Sequence, residues 1–350
     1  MSETKPNYKR KSHYPPVWAV VIIDLLVTGM ILCGFALFHH VVPRSMEPLN
    51  IVVANPNTGT SNDTNVSGND SAAPQETLAQ ESEVPEETAP PTWAEKFADH
   101  FTDTVIETET SYSSPKVSIN IEKKTMDEGR DLVTYYVADI YVADIECFQT
   151  YLAKDTYGKG YREDVLDMDL EANALLAMTG DFYGYQDEGL VIRNGTVYRA
   201  DSTDLDMCVL YYDGTMETFS PDEFDLDTAV AKGAYQGWTF GPMLLDKNGD
   251  IPTQYNAKSK LMDLNPRSGF GYFEPGHYCF VVVDGRDRGY SRGVTPQEFS
   301  QIFKDLGCVA AYNMDGGESA IMSFNDEVVN LPFQDGRGLS DCLIIKEVGA

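Results

Sequence analysis

Thr295-Pro-Gln-Glu-Phe-Ser-Gln-Ile-Phe-Lys-Asp-Leu-Gly-Cys-Val-Ala-Ala-Tyr-Asn-Met-Asp-Gly-Gly-Glu-Ser-Ala-Ile-Met322 is the stretch on which the fold turns. Thr295 and Glu298 have capping-box spacing, and Pro296 stands at the first helical position, where its missing N–H costs nothing. Phe299, Ile302, Phe303 and Leu306 recur at helical spacing and give one apolar face. Gly307 falls where a left-handed cap belongs. An apolar run from Cys308 to Met314 follows at strand length and breaks at Asp315-Gly316-Gly317. Upstream, Tyr278 to Val283 reads as a second buried strand and breaks at Asp284-Gly285-Arg286. Strand, helix and strand form a right-handed crossover with parallel strands. If the strands are neighbours, Asp284 and Asp315 end on one rim of the sheet, where open sheets place a ligand crevice. A single Asp-Gly is ordinarily only a turn. Two on one rim, with Arg286 and Ser319 beside them, point to a site.

Working outward, short strands with turn chemistry fill the chain from Pro115. Val117, Ile119 and Ile121 alternate with polar residues, and Val133 to Ile145 reads as a long strand. Arg193-Asn194-Gly195-Thr196 is a type I′ hairpin signal, joined by Asp213-Gly214 and Asn248-Gly249. Gly241-Pro242 argues for a bulge or sheet edge. Glu171 to Met178 looks helical, and Gly338 to Lys346 is a final strand with Asp341 at its start. Many hairpins plus one crossover predict an α+β domain with a mixed sheet over residues 115–350. Before it, Trp93, Phe97, Phe101 and Val105 predict a lead-in helix within residues 93–114.

Residues 43–92, rich in Asn, Thr, Ser, Pro and Glu, read as a disordered extracellular spacer with sequons at Asn62, Asn65 and Asn69. Residues 17–42 form an apolar segment, of which Val17–Phe38 suffices to cross a ~30 Å hydrocarbon core. Lys5, Lys9, Arg10 and Lys11 in the tail of residues 1–16 keep that end cytoplasmic by the positive-inside rule. The expectation is a single-pass cell-membrane protein with its C-terminal domain outside. A cleaved signal peptide is the competing reading.

The net charge of −29, from 55 acidic and 26 basic residues, rules out nucleic acid held by a general field. An anionic polymer is repelled too, unless local arginines bind it. Six cysteines show no Cys-x-x-Cys pair and read as small buried apolar residues, not a disulfide framework or zinc site. Of five histidines only His277 lies in the body, which disfavours His-rich dinuclear chemistry; its Pro-Gly context suggests a solvated loop.

Several of these residues together resemble the phosphodiester glycosidase family, which includes the N-acetylglucosamine-1-phosphodiester uncovering enzyme and bacterial exopolysaccharide-associated proteins. The resemblance rests on Asn313-Met314-Asp315-Gly316-Gly317-Glu318-Ser319, Asp305-Leu306-Gly307 and Val283-Asp284-Gly285-Arg286. Thr179-Gly180-Asp181-Phe182-Tyr183-Gly184, Gly241-Pro242-Met243-Leu244, Asn265-Pro266-Arg267-Ser268 and Arg337 with Ser340-Asp341 extend it, in family order, over residues 115–350. The family's usual third glycine is Glu318 here, and its Asn before the first Gly-Asp is Thr179.

The resemblance implies cleavage of the sugar C1–O bond in a glycan phosphodiester of the cell envelope or exopolysaccharide. The phosphate monoester leaves readily, so the site needs a carboxylate at the anomeric carbon and cations or backbone N–H groups for phosphate. Asp315, Asp284 and Asp181 are the candidate catalytic carboxylates. Arg267, Arg286, Gly316, Gly317, Ser319, Arg337 and Asp341 are the candidate substrate and phosphate contacts. One rival is metal-assisted hydrolysis at phosphorus, with Ca or Mg on oxygen ligands. A second is a silent envelope module that binds anionic glycopolymers.

Overall fold

The Thr295 capping box closes as its spacing predicts. Glu298 N donates to Thr295 Oγ1 at 3.3 Å, and Thr295 N donates to the Glu298 carboxylate at 2.8 Å. The crossover helix runs Pro296–Leu306 and ends at Gly307 with φ 94°. In the computed structural model, which describes residues 15–40, 42–49, 51–56 and 90–349, this helix lies against three strands. They are β1 (Arg267–Glu274), β2 (His277–Val283) and β3 (Ala310–Asn313).

β2 and β3 run parallel, as a crossover requires, but they are not neighbours. β1 lies between them, antiparallel to both, with Gly269 opposite Val281 on one side and Asn313 on the other. The reason is in β1 itself. A Cβ at Gly269 would come within 2.9 Å of the Phe299 ring, and one at Gly271 within 2.8 Å of Phe303. Glycine lets the helix settle onto β1, so the aromatic face roofs the middle strand. Asp284 and Asp315 still leave the sheet on the same rim.

These strands belong to an eight-stranded sheet that continues through Val133–Val142 and Val117–Met126. A six-stranded sheet holds Gly189–Arg193 and Ala234–Trp238. A five-stranded sheet has β4 (Asp341–Ile345) in its interior, flanked antiparallel by Leu176–Thr179 and Phe148–Leu152. The architecture is α+β. Phe148 lies 5.5 Å from both Tyr278 and Phe280, and 6.3 Å from Trp238, so rings contributed by all three sheets meet in one core. Asn194 (φ 50°) and Gly195 (φ 79°) make the type I′ hairpin, with Arg193 opposite Thr196.

Four expectations change. The helix placed at Glu171–Met178 is Val165–Ala172, and Leu176–Thr179 is a fully buried strand, whose unbroken apolar run carries no period to separate the two. The lead-in helix is one turn, Trp93–Lys96; Phe97 is buried, Val105 is exposed, and Ile106–Glu107 and Ser111–Ser113 join the eight-stranded sheet. The spacer begins later than residue 43, because Ile51–Val52 pairs with Thr196 and Val197 and Val53 is buried. Asn248-Gly249 turns the chain, but no strand follows it to complete a hairpin.

The N-terminal residues form a separate unit, whose helix Val17–His40 includes one span, Val17–Phe38, long and apolar enough to cross a membrane. The basic tail, the three sequons and most of the expected spacer lie outside the described residues.

Candidate functional site

Where β3 ends, residues 313–317 floor a cleft of about 160 Å³ whose walls include Phe240, Lys260, Asn265 and Arg286. Asp315 is its carboxylate. Gly316 N donates to Asp315 Oδ1 at 2.9 Å, while Ser319 Oγ and Arg337 Nη2 each donate to Oδ2 at 2.8 Å. Arg337 Nε also donates to Ser319 Oγ at 2.6 Å. Burial pushes the Asp315 carboxyl above its ordinary value, against the opposing pull of Arg337, Ser319 and the Gly316 amide. Arg337 lies 5.6 Å from the Phe182 ring, which stacks on Tyr185 at 4.2 Å, and Arg162 covers Tyr185 at 4.5 Å.

Across the cleft Arg286 donates to Asn265 Oδ1 at 2.9 Å and lies over Phe333 at 5.1 Å. Its backbone is left-handed, φ 61°, an uncommon conformation for a residue with a long side chain. An added Cβ at Gly317 (φ 69°) would stand 3.1 Å from Arg286 Nη2, so glycine keeps this corner open. Asp315, Arg286, Gly316, Gly317, Ser319 and Arg337 are therefore brought together.

Asp284 does not face the cleft. Its carboxylate accepts from Asn330 Nδ2 (2.8 Å), Tyr290 OH (2.8 Å) and Leu331 N (3.1 Å), and only 2 % of the residue is exposed. Burial pushes its carboxyl upward while these donors favour the charge. Asp284 thus pins the start of the loop that carries Phe333 to Arg286 and Arg337 to Asp315. The expectation of a catalytic Asp284 gives way to that of an anchor.

Asp181 and Asp341 are also corrected. Both are sealed in the core on one arginine that the sequence reading treated only as a hairpin flank. Arg193 Nη2 donates to Asp181 at 2.8 Å and Nε to Asp341 at 2.7 Å. Burial drives the Asp341 carboxyl up, and the neighbouring Asp181 charge adds to this against the pull of Arg193. The pair still acts on the site through backbone. Asp181 N donates to Asp341 Oδ1 at 3.0 Å, and the carbonyl of Gly180 accepts from Asp315 N at 3.1 Å.

Arg267 borders the cleft, but its guanidinium is taken up by backbone: Nε donates to Val294 O at 2.8 Å, and Nη2 to Leu261 O at 2.5 Å and Asp263 O at 3.0 Å. Burial pulls it down to about 10. Thr179, at the departure from the family pattern, bonds the Ser319 carbonyl and accepts from Ile321 N at 3.0 Å, tying down the turn that holds Glu318. His277 is no solvated loop residue; it stacks between Tyr141 and Phe273 and meets Asp139 at 2.7 Å.

Among the described residues no three His, Cys, Asp or Glu side chains converge as a metal site. A larger groove, about 570 Å³ along residues 215–219, brings together opposed Lys–Glu pairs and no comparable constellation. Residues not expected at the site from sequence, Arg193, Asn330, Phe182, Tyr185, Phe240 and Lys260, surround or support the Asp315 cleft.

A family model described as phosphodiester glycosidase matches residues 172–346. An uncharacterised SPbeta prophage-derived protein of Bacillus subtilis (strain 168), YomE, is 28% identical over 233 residues, which is 64% of this chain and 35% of that protein. The chain thus spans about a third of that relative. The catalytic domain of zebrafish N-acetylglucosamine-1-phosphodiester alpha-N-acetylglucosaminidase, solved in a form auto-inhibited by its pro-peptide, shares the fold. It has a TM-score of 0.54 at 20% identity, covering 75% of this chain and 94% of that one.

Proposed function

This chain belongs to the phosphodiester glycosidase family, and on that premise we propose that it hydrolyses the sugar C1–O bond of a glycan sugar-1-phosphodiester. The observation that carries the reading is the rim of β3, where a buried, upward-shifted carboxylate shares a cleft with Arg286, which has no carboxylate partner among the described residues. Asp315 acts at the anomeric carbon. Arg286, with the open backbone at Gly316 and Gly317, holds the phosphate. Arg337 and Ser319 fix the carboxylate and oppose the upward pull of its burial. Water adds to C1 while Asp315 takes its proton, and the C1–O electron pair leaves with the phosphate. The products are a reducing sugar and a phosphate monoester. Asp284, Arg193, Asp181 and Asp341 position these groups without touching substrate.

The apolar helix and the basic residues before it support an envelope location, with the helix as anchor and the body outside the cytoplasm. The test is hydrolysis of a synthetic N-acetylglucosamine-1-phosphodiester in ¹⁸O-water. Label recovered in the sugar supports C1–O cleavage. Label in the phosphate, with sugar-1-phosphate released, means attack at phosphorus. Binding without either product makes the domain a silent module.

A further inference from the structure

Several exposed cations of this acidic chain are drawn onto carboxylates. Lys96, Lys154, Lys232, Lys247 and Lys304 each sit within 4.0 Å of a Glu or Asp. Others among the described residues, Lys123, Arg130, Lys258 and Arg288 included, are exposed with no carboxylate at that distance. Three further cations of this kind, Lys260, Arg286 and Arg162, gather at the cleft and the aromatic pair beside it. Their order in space follows from the contacts. Lys260 and Arg286 line the cleft with Asp315; Arg337 bonds Asp315 and lies over Phe182, which stacks on Tyr185, and Arg162 covers Tyr185.

Unpaired guanidinium and ammonium groups that survive in a chain of net charge −29 are poised for an external anion. One phosphodiester at the scissile bond would use Lys260 and Arg286. It leaves Arg162 idle, since the Arg337 guanidinium is engaged by Asp315 and two aromatic rings intervene. We propose that the cleft is the centre of a cationic track with a second phosphate subsite at Arg162. Its substrate is a polymer in which sugar-1-phosphodiesters repeat. This rests on the hydrolase reading above and names the substrate class for the same site.

The experiment uses a defined series of one, two and four sugar-1-phosphodiester units on the full chain in detergent. The track predicts that kcat/KM rises with unit number at low salt and that the rise collapses at high salt, because exposed charges are screened. In Arg162→Gln the preference for four units over one falls by roughly tenfold or more, the value of one hydrogen bond to a charged group. Lys260→Gln is the second variant, and melts check that each is folded. Binding of the four-unit ligand to Asp315→Asn is measured alongside. If the single unit is cleaved but length, salt and Arg162→Gln make no difference, the track is overturned and the hydrolase reading stands. If nothing is cleaved yet the four-unit ligand binds with a salt dependence that Arg162→Gln removes, the track stands and the hydrolase reading falls. No cleavage and no binding overturns both.

Discussion

Asp315→Asn keeps the side-chain shape while removing the charge that Arg337 and Ser319 address. Because Arg337 is partly exposed, losing this pair changes stability by about 1 kcal/mol at most. The rate of sugar release should instead fall at least about a hundredfold, the low end for acid–base groups. With the burial-raised pKa, activity should decline on the acid side before pH reaches the ordinary carboxylate value of about 3.9. An Asn variant that melts normally and turns over at the parental rate removes Asp315 from the mechanism. Gly180→Ala tests the backbone link beneath it. The new Cβ would collide with the Asp341 carboxylate, which Arg193 fixes, and stand 2.7 Å from the Asp341 carbonyl. Overpacking there should cost about 1–3 kcal/mol and lower turnover as well; a variant with parental melting and parental rate would show that this link is slack. The place of Asp315 at the end of its strand was legible because an apolar run ended on it with glycines after it. Asp284 carried the same local signature, but its partners Asn330 and Tyr290 are distant in sequence or belong to no motif. Arg193 was hidden because its turn explained it locally, whereas its charge is answered by carboxylates 12 and 148 residues away.

At the scale of elements, the loop from Asn330 to Arg337 joins two functions that the chain separates. Its start is fastened to Asp284, and its end delivers the guanidinium to Asp315. Asp284→Asn should loosen that fastening and lower kcat by up to about a hundredfold, as small misplacements do, with KM changed less. In an Arg337→Lys background the same change should add little, since both act through one geometry. Fully additive losses would show that Asp284 works by another route. Helix Val165–Ala172 offers a separate test. Asp169 is 1% exposed, and neither carboxylate oxygen has a hydrogen-bond partner; the Ser323 hydroxyl is near but out of geometry. Burial raises the carboxyl to about 6. The folded state therefore binds the proton more tightly than the unfolded one, and stability falls as pH rises from about 4 to 6. Asp169→Asn should remove that loss, raising stability by up to about 3 kcal/mol at pH 8 and by little at pH 4. Parallel melting curves against pH for the two proteins would refute it. Elements with capping and period, such as Pro296–Leu306, could be read from sequence. The strand Leu176–Thr179 could not, because complete burial erases the alternation that identifies a strand.

For the whole molecule, the anchor reading predicts that protease added to intact cells releases a soluble body cut within residues 57–89, where the sequence is polar and carries no large apolar clusters. Complete protection of that body would reverse the orientation. The fold class was open to sequence because it follows from counting hairpins and one crossover. The order of strands was not, since β1 enters between β2 and β3 through glycines whose packing partners lie on the helix.

The placement of β4 carries a consequence for synthesis. This last strand enters the interior of its sheet, bringing Asp341 to Arg193 just after Arg337 has reached Asp315. A nascent or truncated chain that stops before residue 337 has neither the finished sheet nor the arginine at its carboxylate. A fragment cut short of residue 337 is therefore expected to leave the edge of Leu176–Thr179 open and to lack the ion pair on which the proposed hydrolysis rests.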